Sequence, residues 1–342
     1  MNSQWKAHLL SRTAEIDAAG NVRFPAAPSA ADCALMDLST LGLIAVSGAD
    51  ATQFLQGQLT NDLGTLTPTR TQLSAHCSPK GRMLANFRVL RFGDLVYLQL
   101  PRSTAGALVK RLSMFVLRSK VTVEEASDRL VGIGLAGPCA PDLLAPELPS
   151  LPEDANGLAL HGEVAVMRIP GTPPRFQVLG PVDAVAPLWD RLAREATVVN
   201  ADYWALLDIR AGLPTVYPQT ADLFVPQMTT MQLIGGVSFT KGCYTGLEVV
   251  ARMQYLGRLK RRMYLAEVQA DEPPQPGAEL YSESSTSEQA AGWVVDARIS
   301  GPDRCALLAV VEIAAAETQD VRLGPEGPSL TLREPPYVTN QQ

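Results

Sequence analysis

Residues 71–100 hold three short apolar runs separated by tight glycine-containing turns, and this pattern restricts the fold class most. Gln72–Cys77 leads into Ser78-Pro79-Lys80-Gly81-Arg82, then Met83–Leu90, the turn Phe92-Gly93-Asp94, and Leu95–Leu100. Strands joined by turns this short read as an antiparallel meander. A helix over about 103–115 then places Leu108, Leu112, Phe115 and Val116 on one face, and a strand Lys120–Glu124 follows. Further on, Leu130–Ala136, Val164–Ile169 and Arg175–Leu179 read as strands, with a helix over roughly 182–196. The plan of the first segment recurs in the second, as a repeat of architecture without sequence identity. Strands on both sides of helices suggest α+β layers close to ferredoxin-like units.

The flanking parts complete the plan. Residues 1–32 read as a short polar helix and a Pro/Ala-rich connector, Phe24-Pro25-Ala26-Ala27-Pro28. Leu41–Val46 is an apolar run that reads as a buried strand. It feeds a helix with Ala51, Phe54, Leu55 and Leu59 on one face. Pro138–Gly157 reads as a loose helix and loop. Asp202–Ala211 is a helix stopped by Gly212 and Pro214, and Thr220–Phe239 is an irregular connector. From Met263 to about Leu332 short strands alternate with polar loops such as Ser282–Ser287, which reads as a small C-terminal β-barrel. Glu334–Gln342 reads as a tail.

Composition narrows the function classes. With 46% hydrophobic and 19% charged residues over 342 positions, the chain is of ordinary globular type with a sizeable core. A net charge of −6 argues against nucleic-acid binding over the whole surface. The five cysteines (Cys33, Cys77, Cys139, Cys243 and Cys305) are odd in number and lack any C-x-x-C, which argues against a disulfide framework or a structural zinc site. A reducing cytoplasm fits this usage. His8, His76 and His161 share no ligand spacing. The N-terminus has no sustained apolar stretch and does not read as a signal peptide. No run is long enough to span a bilayer.

The stretch with most chemistry is Lys241-Gly242-Cys243-Tyr244-Thr245-Gly246-Leu247-Glu248. Gly242 and Gly246 permit positive φ or close approach. A helix starting near Thr245 would put Cys243 just outside a helix N-terminus. There the free N–H groups, the helix dipole and Lys241 favour a thiolate. A small buried residue in a tight turn fits the same features. After the helix, Tyr255–Arg262 carries Arg258, Lys260, Arg261 and Arg262, either a solvated linker or a contact for an anionic ligand or RNA.

Lys241–Glu248 resembles the Lys-Gly-Cys-Tyr-x-Gly-(Gln)-Glu signature of the YgfZ family of folate-binding proteins. These are relatives of the glycine-cleavage T-protein and include mitochondrial iron–sulfur assembly factors. Two more blocks match in order: Val46–Asp62, with Phe-Leu-Gln-Gly-Gln-Leu-Thr-Asn-Asp, and the Asp202–Ala211 helix ending in Ala-Gly-x-Pro. Two departures stand out, Leu247 in place of Gln and Leu41 in place of an aromatic residue.

The resemblance implies a GcvT/YgfZ-like ring of ferredoxin-like α+β subdomains plus the small barrel, with tetrahydrofolate or another reduced folate in a central channel. The expected organisation is 1–32 helix and connector, 33–255 folate-binding region (about 33–50 with 128–255, and 51–127), and 256–335 barrel. It implies an accessory protein that assembles or repairs iron–sulfur proteins, including those that modify tRNA. Cys243 is the functional thiol, with Lys241 lowering its pKa or holding the folate glutamate. Trp204, Lys80, Arg82 and Tyr244 are the candidate folate contacts, and Gly242, Gly246 and Glu248 shape the turn. No metal is expected in the monomer. The expected partners are folate and iron–sulfur clients, with tRNA a further candidate and no membrane.

Two alternatives accompany this reading. One is a folate-dependent aminomethyltransferase, as in the T-protein. Where that protein carries an acidic pair, this chain has Ala85 and Asn86, which cannot ionise. Enzyme status is therefore open, with a classical enzyme disfavoured. The other is a non-catalytic interaction scaffold.

Overall fold

The computed structural model describes residues 1–25, 28, 30–285 and 290–339. Ala26 and Ala27 of the expected connector, Thr286 and Ser287 of the expected loop, and Asn340–Gln342 of the expected tail lie outside them. The fold is α+β, as the strand and helix pattern implies. The chain divides into two compact units. The first holds Met1–Phe54, Leu63–Gln72 and Arg88–Trp204; the second holds Leu55–Asp62, Leu73–Phe87 and Ala205–Gln342.

The first unit contains a six-stranded sheet in the order Leu158–His161, Val164–Ile169, Arg175–Gly180, Val131–Ala136, Ala34–Asp37, Thr197–Val198. All pairs are antiparallel except the last, where Thr197 lies opposite Ala34 in parallel. Arg175–Gly180 is buried throughout because both its faces are covered. The helices Ser3–Leu10 and Val182–Leu192 contribute to this core, with Trp5 edge-on to Trp189 at 5.6 Å between ring centroids. The N-terminal helix is therefore less polar than its composition suggests. Trp5 and Leu9, one turn apart, are fully buried, and Asn2 caps the helix by accepting from the Gln4 and Trp5 N–H groups. Trp5 Nε1 donates to Asp37 Oδ1 at 2.7 Å, and burial pushes the Asp37 carboxyl up.

The same unit holds Leu41–Ser47 between Leu95–Pro101 and Thr122–Glu125, with Arg88–Phe92 antiparallel to Leu95–Gln99. The helix Arg102–Ser113 buries Leu108 and Leu112 and ends before Phe115. Besides the two-residue strands Glu15–Ile16, Val22–Arg23 and Thr197–Val198, two longer strands of this unit escape the sequence pattern, Ala34–Asp37 and Leu158–His161. Each has four residues, too few for a period to declare itself.

The register of Ala34 opposite Ala136 has a further consequence. It brings Cys33 to Cys139, and the two form a disulfide with Cα atoms 5.9 Å apart across 106 residues of sequence. The expectation drawn from cysteine spacing is corrected here: sequence distance says nothing of neighbours made by strand pairing. Cys77, Cys243 and Cys305 are free.

In the second unit, Met83 exchanges hydrogen bonds with the connector: its N–H donates to Phe224 O and its carbonyl accepts from Asp222 N–H, both at 2.8 Å. The helix Leu247–Tyr255 follows. The C-terminal sheet runs Arg322–Leu323, Glu279–Tyr281, Gly292–Gly301, Arg304–Glu312, Arg261–Gln269, Leu330–Arg333, and every pair is antiparallel. It curls as half a barrel around Val268, Val294, Leu307, Ala309 and Val311, and an isolated bridge joins Arg322 to Ser329.

Candidate functional site

The Lys241–Glu248 turn rests on the tip of the Gln72–Cys77/Met83–Phe92 hairpin. At the tip, Ser78 N–H donates to Arg82 O at 2.7 Å and Gly81 N–H to Ser78 O at 2.9 Å. Gly81 has φ +70, and a Cβ there would stand 2.7 Å from Val249 Cβ. Gly246, at φ +87, is the N-cap of the helix, and a Cβ on it would meet Ser78 O at 2.6 Å. Two glycines, one on each partner, thus let the backbones meet. Gly246 also sets the helix start at Leu247 rather than Thr245, since a residue in the left-handed region cannot sit within a right-handed helix. Gly242 differs: a Cβ there would meet nothing within 4 Å.

Lys241 is the anchor of the turn. Its Nζ donates to Gln56 O and Leu59 O at 2.7 Å and to Asn61 O at 2.8 Å. An ammonium has three N–H groups, and all are used. Gln56 is the last residue of a helix, so one of the three acceptors is a helix C-terminal carbonyl, where a cation is favoured; Leu59 and Asn61 lie in the segment that follows. Burial lowers its pKa from 10.5 to about 8, while Asp62 pulls it upward. Nζ also lies 5.2 Å from the Tyr244 ring centroid. Tyr244 is 6% exposed, and its hydroxyl has no hydrogen-bond partner among the described residues. Burial first, and Cys77 second, raise its pKa.

With Lys241 and Tyr244 turned inward, Cys243 is exposed. It opens onto a groove lined also by Pro79, Leu247, Glu248, Arg252 and Tyr255. Leu247, where the signature has Gln, lines this groove with an apolar side chain. Lys80 is exposed at the hairpin tip. Arg82 donates to Asp222 O at 3.3 Å and Leu223 O at 3.2 Å. Of the residues singled out from sequence, the second unit brings together Lys80, Arg82, Lys241, Gly242, Cys243, Tyr244, Gly246 and Glu248.

Asn86 lies on the strand that leaves the tip. It is buried, its Nδ2 donates to Pro214 O, and its Oδ1 accepts from Val216 N–H, both at 2.7 Å. The amide uses its donor and its acceptor on one stretch of connector.

Trp204 lies in the first unit and is 4% exposed. A Cβ at Gly134 would stand 2.6 Å from its ring, and the Arg175 guanidinium lies 4.9 Å from the ring centroid. Gln177 lies opposite Gly134 in the register, is buried, and has an Nε2 without a hydrogen-bond partner among the described residues. Sequence reasoning passed over Gln177, although it is the one amide in the run Arg175-Phe176-Gln177-Val178-Leu179. Among the described residues no group of three or more His, Cys, Asp or Glu side chains is placed to hold a metal ion. None of the described helices is long and apolar enough to cross a membrane.

Comparison with known proteins gives these features a family. The GCVT N-terminal domain matches residues 28–170. The solved structure of glycine cleavage system aminomethyltransferase T from Bartonella henselae superposes with a TM-score of 0.77 at 20% identity, over 98% of this chain and 96% of that one. The molecule is thus a protein of GcvT-like fold. The tRNA-modifying protein YgfZ of Klebsiella pneumoniae is 33% identical over 92% of this chain and 96% of its own length. That of Colwellia psychrerythraea is 30% identical over 81% and 85%. The chain belongs to the YgfZ family.

Proposed function

We propose that this chain is a tetrahydrofolate-binding accessory protein that acts in the assembly or repair of iron–sulfur proteins, including those that modify tRNA. The observation that carries the reading is the presentation of Cys243: an exposed thiol on a turn whose neighbours Lys241 and Tyr244 are both turned inward. A single thiol is too few to hold a cluster alone. Its role is to contact or protect a cluster held by a partner. The relatives' role in tRNA modification agrees with clients of that kind.

Folate fits the first unit on one observation, the buried Gln177 amide with an unpaired donor. A buried N–H without a partner costs about 1–3 kcal/mol, and a pterin carbonyl or ring nitrogen would accept it. Gln177 would hold the pterin by its amide, with the packed Trp204 backing Gly134 on the same sheet. Tetrahydrofolate, when bound, supplies a carrier for one-carbon units. Aminomethyl transfer is disfavoured because Asn86, where the T-protein has acidic residues, is an amide engaged at both ends.

Calorimetric titration of tetrahydrofolate into the wild type, Gln177→Ala, Trp204→Ala and Cys243→Ser tests this. Binding to the wild type, about fivefold weaker in Gln177→Ala and unchanged in Cys243→Ser, is the expected result. Absence of binding to the wild type would sink the folate reading and put the scaffold alternative first.

A further inference from the structure

The basic run at residues 258–262 divides in two. Arg261 pairs with Glu312 at 3.0 Å and lies 5.0 Å from the Trp293 ring centroid; Arg262 pairs with Glu334 and lies 5.0 Å from the Tyr264 ring centroid. Both are built into the C-terminal sheet. Arg258 and Lys260 are exposed in the segment that precedes it. Next to them, the end of the helix Leu247–Tyr255 leaves Tyr255 68% exposed and Leu256 85% exposed. The Tyr255 ring packs against Phe239, with centroids 6.1 Å apart and planes at 71°, so it is held and yet open.

The charge around this ring reverses the sign of the molecule. Arg252 lines the groove beside Tyr255 and Leu256, and Lys80 adjoins Pro79 on its wall. Glu248 is the one carboxylate among the groove-lining residues. Arg252 on the groove, Lys80 next to its wall residue Pro79, and Arg258 and Lys260 in the exposed segment that follows Leu256 are four cations within or beside this stretch of a chain of net charge −6. Cations interleaved with an exposed aromatic ring suit a single nucleic-acid strand, whose phosphates meet the cations while a base stacks on the ring. A duplex keeps its base faces stacked inside and shows only phosphates, sugars and groove edges, so it offers no face for the ring.

We propose that this surface of the second unit binds an unpaired stretch of RNA, with a base on Tyr255 and backbone phosphates on Arg252, Arg258 and Lys260. The choice of RNA rests on the proposed role in tRNA modification; the stacking chemistry does not.

Fluorescence polarisation of the full chain with a short labelled RNA strand, the same strand annealed to its complement, and DNA of the same sequence tests the proposal. The expected result is binding of the single RNA strand, weaker by about tenfold in Tyr255→Ala and restored in Tyr255→Trp. In the double variant Arg258→Ala with Lys260→Ala, the slope of log affinity against log salt should shrink by about 1.4, two phosphates at roughly 0.7 each. Unchanged affinity in Tyr255→Ala, or duplex bound as tightly as single strand, would overturn it. Equal binding of the DNA strand would overturn the assignment to RNA. No binding of RNA would overturn it and leave the surface to a protein partner. Tetrahydrofolate titration of the same preparations keeps the two readings apart: folate bound and RNA unbound removes this surface alone.

Discussion

Asn86 and Val216 are joined by a 2.7 Å hydrogen bond in which the side-chain oxygen accepts, while the other end of the same amide donates to Pro214 O. An aspartate at this position could still accept from Val216 but would set a carboxylate oxygen against the Pro214 carbonyl. Asn86→Asp should therefore lower stability by about 2–4 kcal/mol in urea unfolding and confer no aminomethyl transfer. An unchanged urea midpoint would show that the clamp contributes nothing.

Removing the Lys241 ammonium leaves three carbonyls without their donor. Lys241→Met should cost about 2–4 kcal/mol at pH 7, measured by urea unfolding. The pH dependence has a definite sign. The amine titrates at about 8 in the folded chain and near 10.5 in the unfolded one. Between those values the unfolded chain binds more protons, so this group makes stability rise with pH; below the lower value its contribution is constant. The gap between wild type and Lys241→Met should widen in favour of the wild type from pH 7 to pH 9.5. A gap that narrows would contradict an ammonium disfavoured by burial.

Thiol reactivity separates the cysteines. Cys77 is buried and its thiol is pushed up to about 12; Cys305 is buried and also shifted up. Cys33 and Cys139 are joined. Native, unreduced protein should thus show a single fast thiol toward a disulfide reagent, absent in Cys243→Ser. Reduction should add two more. Equal rates at several thiols without reductant would refute this order.

The Tyr244 hydroxyl is buried with no partner among the described residues. Tyr244→Phe should leave stability unchanged or raise it by up to about 1 kcal/mol, read from thermal unfolding. A clear drop in melting temperature would mean that the hydroxyl is paired in solution.

Local signals were legible in the sequence wherever one short stretch carries the whole instruction. The turns at Gly81 and Gly93 announce the meander, and Gly212 with Pro214 ends a helix within one residue of the expected place. The cysteine turn stood out through its two glycines, though only the φ of Gly246 sets the helix start. What long-range pairing decides was hidden. Arg258 and Arg261 are alike in sequence, and only where the strand begins leaves one exposed before it and pairs the other with Glu312 across it. The neighbours of Cys33 and the three acceptors of Lys241 lie more than a hundred residues away. Gln177 carries no motif; its interest comes from an amide enclosed by a sheet.

The Lys241 anchor also sets a schedule. Gln56 and Lys241 are 185 residues apart, so during synthesis the earlier carbonyls wait roughly ten to forty seconds for their cation. Contacts of such separation close late because loop entropy opposes them until other pieces have formed. A nascent or truncated chain therefore has no fixed turn on which to hold out Cys243. The thiol is held out on a fixed turn only once the chain has been made past it and folded; before that it is one more side chain on a flexible segment.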